Sequence, residues 1–175
     1  MVFQSLHLQP WATARGNIEF PLRLGRLSRA ERRARVDAAA GRVALGRDDL
    51  AKYPAELSGG MCQRAAIARA LVIEPDFIYF DEPFTALDVA LRRRMQDLVI
   101  EAARAMHFAA LFITHDLMEA FRIAHRVAVM DAKGHGVVGE RRIAGRPGER
   151  DEVELFGCVA RSLREDPLFR HIHDV

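Results

Sequence analysis

Three short, largely apolar runs limit how this chain can fold: FIYF at 77–80, AALFI at 109–113 and RVAVM at 126–130. Each is rich in strand-forming side chains and too short for a buried helix. Between them, residues 89–106 place Met95, Leu98, Val99, Ala102 and Met106 on one helical stripe, and 117–123 forms a shorter helix. Strand, helix, strand, helix, strand is the pattern of a βαβ sheet covered by helices, so an α/β fold with buried parallel strands is expected. Gly134 and Gly136 mark a turn before a last short strand near Val137.

The rest of the chain is organised around this core. Met1-Val2-Phe3 reads as the end of a strand, followed by Gln4 and a loop holding Pro10 and the sole tryptophan, Trp11. Ser28 and Glu31 form a capping-box pattern ahead of a helix over 29–45, which Gly46 can end. Residues 61–73 are Ala-rich and helical, with Ile67 and Leu71 on a buried face and Pro75 beyond their end. The expected parts are 1–13 (strand end and following loop), 14–56 (a helical subdomain), 57–145 (the core) and 146–175 (a C-terminal extension). In the extension a helix starts in the acidic stretch 149–154 and a frayed tail follows; His171 and His173 are poorly spaced for a metal.

Composition excludes several classes. The 175 residues are enough for one domain with a real core, and a net charge of +2 with scattered arginines gives no basic stripe for nucleic acid. Cys62 and Cys158 stand far apart without metal-ligand spacing, so free thiols in a reducing compartment are expected. No apolar run approaches the ~18 residues that span a bilayer, and MVFQSLHLQP has no leader pattern.

Three motifs carry chemistry. LSGGMCQR at 57–64 puts Ser58 at a helix start, where unpaired amides attract phosphate, and Gly59 and Gly60 let the backbone approach an anion. Asp81 and Glu82 end an apolar strand, the edge of a parallel sheet where ligands bind; one carboxylate can hold a Mg²⁺-water shell and the other can take a proton from water. His115 follows the second strand and can share that edge. Taken singly, each has a plainer reading: a serine cap, two solvated acids, an exposed histidine. Their order in one chain sets those readings aside.

Together these residues resemble the nucleotide-binding domain of ABC transporters, over about 1–139. The resemblance implies a P-loop NTPase-type (ABC ATPase) sheet with a helical subdomain, here partial, and ATP and Mg²⁺ as cofactors. It makes Ser58, Gly59, Gly60 and Gln63 part of the signature loop and its helix, Asp81 the metal carboxylate and Glu82 the general base of the Walker B strand. Asp88 falls in the D-loop, His115 is the switch histidine sensing the γ-phosphate, and Gln4 is the Q-loop glutamine meeting Mg²⁺ and attacking water. Implied partners are a second ATPase subunit, in a homo- or heterodimer, and an integral membrane permease met near Leu6, Leu8 and Trp11. The implied place is cytoplasmic, peripheral on the inner face of the cell membrane. EPFTALD at 82–88 and THDLMEA at 114–120 look most like importers of small solutes, of the nitrate, sulfonate, taurine and pyrimidine-precursor kind.

One departure matters. Family members carry a Gly-rich phosphate loop, Walker A, ahead of the Q-loop, and no such sequence occurs within these 175 residues. The only lysines, Lys52 and Lys133, fit no phosphate-loop pattern. The chain is therefore expected to be N-terminally truncated relative to the family, through a misplaced start, a truncation or a split protein, with little activity alone. An inert or regulatory fragment is the competing reading; a soluble ABC ATPase of repair or translation is disfavoured by the lack of a coiled-coil insertion.

Overall fold

A computed structural model describes residues 1–2, 6–85, 87–131 and 134–170. The elements are α1 (Ala14–Glu19), α2 (Arg29–Arg42), α3 (Arg47–Leu50), α4 (Gly59–Leu71), β1 (Phe77–Asp81), α5 (Val89–Met106), β2 (Ala109–Ile113), α6 (Leu117–Ile123), β3 (Arg126–Met130), β4 (Val137–Arg142), α7 (Glu152–Glu165) and α8 (Pro167–Arg170). The chain divides into two units, Met1–Ile113 and Thr114–Val175.

In the first unit, local chemistry sets the helix starts. Ser28 Oγ accepts from Glu31 N at 3.3 Å while Glu31 Oε2 accepts from Ser28 N at 2.7 Å, so the capping box forms and α2 begins there. It ends at Arg42, short of Gly46. Helix α4 packs against α1, α2 and α5; Ala65, Ala66 and Ala68 are buried, and their small side chains let the helix axes approach. Strand β1 pairs in parallel with β2, with Phe80 opposite Phe112 and their rings stacked 4.4 Å apart. On its other side β1 meets Val2: Val2 N donates to Tyr79 O at 2.8 Å and Asp81 N to Val2 O at 2.9 Å. The expected strand end at Val2 is thus present; Phe3 and Gln4 lie outside the described residues.

The expectation of two fully buried strands needs correction. Ile78 and Phe80 are sealed into the core, where burying each is worth about 1.5–3 kcal/mol. Phe77 and Leu111 are 56% and 50% exposed. In-register parallel pairing puts Phe77, Tyr79, Leu111 and Ile113 on one face, and that face is open. Among the described residues β2 has a hydrogen-bonded neighbour on one side only.

The second unit holds a further correction. Among the described residues β3 pairs antiparallel with β4 in a two-stranded sheet, and no ladder hydrogen bond joins it to the β1–β2 sheet. The reason is visible in its pattern: Val127 and Val129 are buried while Arg126, Ala128 and Met130 are exposed, the alternation of a strand packed on one side. Phe121, Leu155, Val159, Leu168 and Phe169 complete this core. The frayed tail is corrected as far as residue 170: α7 and α8 are formed, and the Arg141 guanidinium grips Asp166 at 2.6 and 2.8 Å. His171 and His173 lie outside the described residues. No described helix is long and apolar enough to cross a membrane.

Candidate functional site

The carboxylate turn is built at the end of β1. Asp81 N–H is held by Val2 O on one side of the strand, and Glu82 N–H by Ile113 O at 3.0 Å on the other. The chain then turns sharply. Glu82 has φ +43°, in the left-handed region that glycine favours, so its surroundings must hold it there. Thr85 Oγ1 donates to Glu82 Oε2 at 3.2 Å, and the buried Pro83 and Phe84 anchor the turn beneath. Both carboxylates remain partly exposed.

The Ser-Gly-Gly segment is formed as a helix start. Ser58 has extended backbone (ψ 159°), and its Oγ accepts from Met61 N at 3.3 Å. Gly59 and Gly60 open α4, and first-turn amides of a helix have no intrahelical acceptor. The two glycines differ: a Cβ on Gly60 would lie 2.8 Å from Leu91 Cδ2, whereas Gly59 has open space around it. Close approach at Gly60 therefore serves the junction between α4 and α5.

Gln63, which the resemblance assigns to the signature helix, is turned to the interior. It is 3% exposed, and its Nε2 donates to Pro83 O at 2.5 Å. Its amide faces inward because it lies on the buried side of α4, where the Pro83 carbonyl needs a donor. Asp88 is exposed and caps α5, its Oδ1 accepting from Leu91 N at 2.9 Å. Trp11 is 76% exposed, whereas Leu8 packs on the core of the first unit.

His115, in the second unit, is exposed and stands between two residues that shape the start of α6. Asp116 caps that helix, its Oδ1 accepting from Glu119 N at 3.1 Å, and Thr114 Oγ1 donates to the buried Glu119 at 2.5 Å. Sequence reading passed over Thr85, Glu119 and Arg69. Arg69 donates to Leu6 O and His7 O at 2.6 and 2.7 Å, fastening α4 to the loop after Gln4. For Glu119 and Arg69 the only signal was a polar residue on a helix with an apolar face; Thr85, in the turn after β1, gave none.

A parallel strand ending in two carboxylates beside a serine-capped Gly-Gly helix, in an α/β frame, is the frame of an ATP-binding cassette. The dimeric post-hydrolysis structure of the cassette MJ0796 with ADP and Pi matches with a TM-score of 0.71 and 33% identity, over 82% of this chain and 62% of that one. An "ABC transporter" family model matches residues 1–85. The taurine import ATP-binding protein TauB of Mesorhizobium japonicum is 40% identical over 97% of this chain and 68% of its own length. The nitrate import ATP-binding protein NrtD of a Synechocystis strain is 40% identical over the whole chain and 64% of its own length. The chain belongs to the ABC transporter ATP-binding family. It spans 63–68% of the length of the taurine and nitrate relatives it matches, and 38% of the trimethylamine N-oxide transport ATP-binding protein TmoW of Ruegeria pomeroyi.

Proposed function

We propose that this chain acts as the ATP-hydrolysing subunit of an ABC importer, coupling hydrolysis to uptake of a small solute of the taurine or nitrate kind through a membrane permease. The observation that carries this reading is Glu82, held in left-handed backbone at the end of a parallel strand directly after Asp81. Strain of that kind at a strand's carboxyl end collects at working sites.

The donor chemistry fits Mg²⁺ with ATP. Mg²⁺ draws most of its ligands from water and phosphate and needs one carboxylate from the protein, and the end of β1 offers one that is partly exposed. Asp81 would be that ligand; Gln4 is assigned to the ion by the family resemblance alone. The ion, when bound, neutralises phosphate charge. Glu82 accepts the proton of the attacking water, and the Thr85 hydroxyl steadies its carboxylate. His115 contacts the γ-phosphate. Ser58, Gly59 and Gly60 present α4's amides to a nucleotide held by a second subunit, and Asp88 lies at that junction. Gln63 supports the helix from behind. The permease contact lies at Leu6 and Trp11, which makes the subunit peripheral on the cytoplasmic face of the membrane.

These 175 residues contain no phosphate loop, and this favours a second reading for the polypeptide by itself: a signature-side piece, inactive alone. Hydrolysis is expected only with a homologous cassette that supplies a phosphate loop. The test adds this chain to an intact cassette whose own signature serine is replaced by arginine. Restored turnover supports the function and none in the mixture contradicts it; hydrolysis by the chain alone would overturn the second reading.

A further inference from the structure

The residue that ties the second unit together is Arg150. It donates all five guanidinium N–H groups to backbone carbonyls. Nε reaches Ala144 O at 2.8 Å, Nη1 reaches Phe121 O and Arg122 O at 2.5 and 3.1 Å, and Nη2 reaches Ile143 O and Gly145 O at 3.3 and 2.9 Å. The Phe121 and Arg122 carbonyls belong to the last turn of α6, where a helix leaves carbonyls without partners and favours a cation. Gly148 N adds a second donor to Arg122 O at 3.2 Å.

Helix α6 has seven residues, too few to persist in water without outside support. Its apolar side rests on residues from the same stretch of chain that carries Arg150. Phe121 meets the ring of Phe169 edge-on at 5.6 Å, and Leu155 and Val159 fill the same cluster. At its other end, Thr114, Asp116 and Glu119 close a hydrogen-bonded loop around His115: Thr114 Oγ1 accepts from Asp116 N at 3.1 Å while donating to Glu119.

We propose that Arg150 is a positioning residue: by clasping the carbonyl end of α6 it fixes the capped turn that presents His115. Residues 145–170 are then the scaffold of that histidine. The functional side of this inference rests on His115 contacting phosphate, as read above.

The test uses the full chain with Arg150→Met and Arg150→Lys, following amide exchange and the His115 imidazole NMR signal, assigned through His115→Gln. With Arg150→Met, amides at 120–124 should exchange at least tenfold faster and the His115 signal should move and broaden. Amides of β3 and β4 should keep their protection, and Arg150→Lys should recover part of both effects. Faster exchange in α6 with an unmoved His115 signal would overturn the proposal, as would equal loss of β3–β4 protection in both variants. The role of His115 is decided separately. If His115→Ala left hydrolysis unchanged once this chain was joined to a segment carrying a phosphate loop, so that its own side could hold ATP, the phosphate contact would fall while the exchange result still judged Arg150.

Discussion

Gln63 Nε2 donates to Pro83 O at 2.5 Å, and this bond fastens the helix that starts at Ser58 to the turn that carries Glu82. Gln63→Leu would leave the buried Pro83 carbonyl without a donor. The expected cost is about 1–3 kcal/mol, read as a lower unfolding midpoint of the chain held with an intact cassette. An unchanged midpoint would show that the bond contributes nothing.

The open face of the β1–β2 sheet makes the 175-residue polypeptide prone to self-association. Phe77, Tyr79, Leu111 and Ile113 share that face, and β2 shows one unpaired edge among the described residues. Exposed apolar strands of this kind pair with other chains. Expressed alone, the polypeptide should sediment as aggregates, and Leu111→Lys should raise its soluble fraction. A sharp, reversible melt of a monomer would count against this.

Much of the fold was legible because it is written locally. The α5 and α6 bounds and the Ser28 capping box follow from helix periodicity and cap chemistry between 28 and 123. The separate β3–β4 sheet and the open face of β2 were not legible, since apolar content alone does not say which neighbour a strand finds. The motifs singled out Ser58, Asp81, Glu82 and His115 as candidates, but not the hydrogen bonds that support them. Arg150 looks like any arginine in a Gly-Pro turn, because backbone carbonyls leave no trace in side-chain spacing.

Acid should loosen the contact between Arg141 of β4 and Asp166 at the start of α8. The Arg141 guanidinium, then the Leu168 amide, hold the Asp166 carboxyl below its usual range. A depressed folded pKa gives stability that is full above the unfolded carboxylate range and is lost as pH falls through the folded value. Asp166→Asn should therefore lower the melting temperature at neutral pH, and the gap from wild type should close below about pH 4. A gap independent of pH would contradict the assignment.

Trp11 is exposed enough to be removed without harm to the core. Trp11→Ala should shift stability by less than about 0.5 kcal/mol yet weaken flotation with permease-containing vesicles. Loss of folding with no docking defect would place Trp11 in the structure of the lobe instead.

The division of labour between subunits is tested most directly by steady-state ATP hydrolysis in a mixed dimer of this chain with an intact homologous cassette. On the proposed function, the intact subunit would supply the phosphate loop, carboxylates and histidine of the site that can hold ATP, and this chain would supply Ser58 and Asp88. Ser58→Arg in this chain should abolish hydrolysis, because it puts bulk and misdirected charge at the start of α4, where the proposed function has the γ-phosphate bind. Glu82→Gln in this chain should leave the rate nearly unchanged, since its own side has no phosphate loop among these 175 residues. Equal loss from both substitutions would contradict the account.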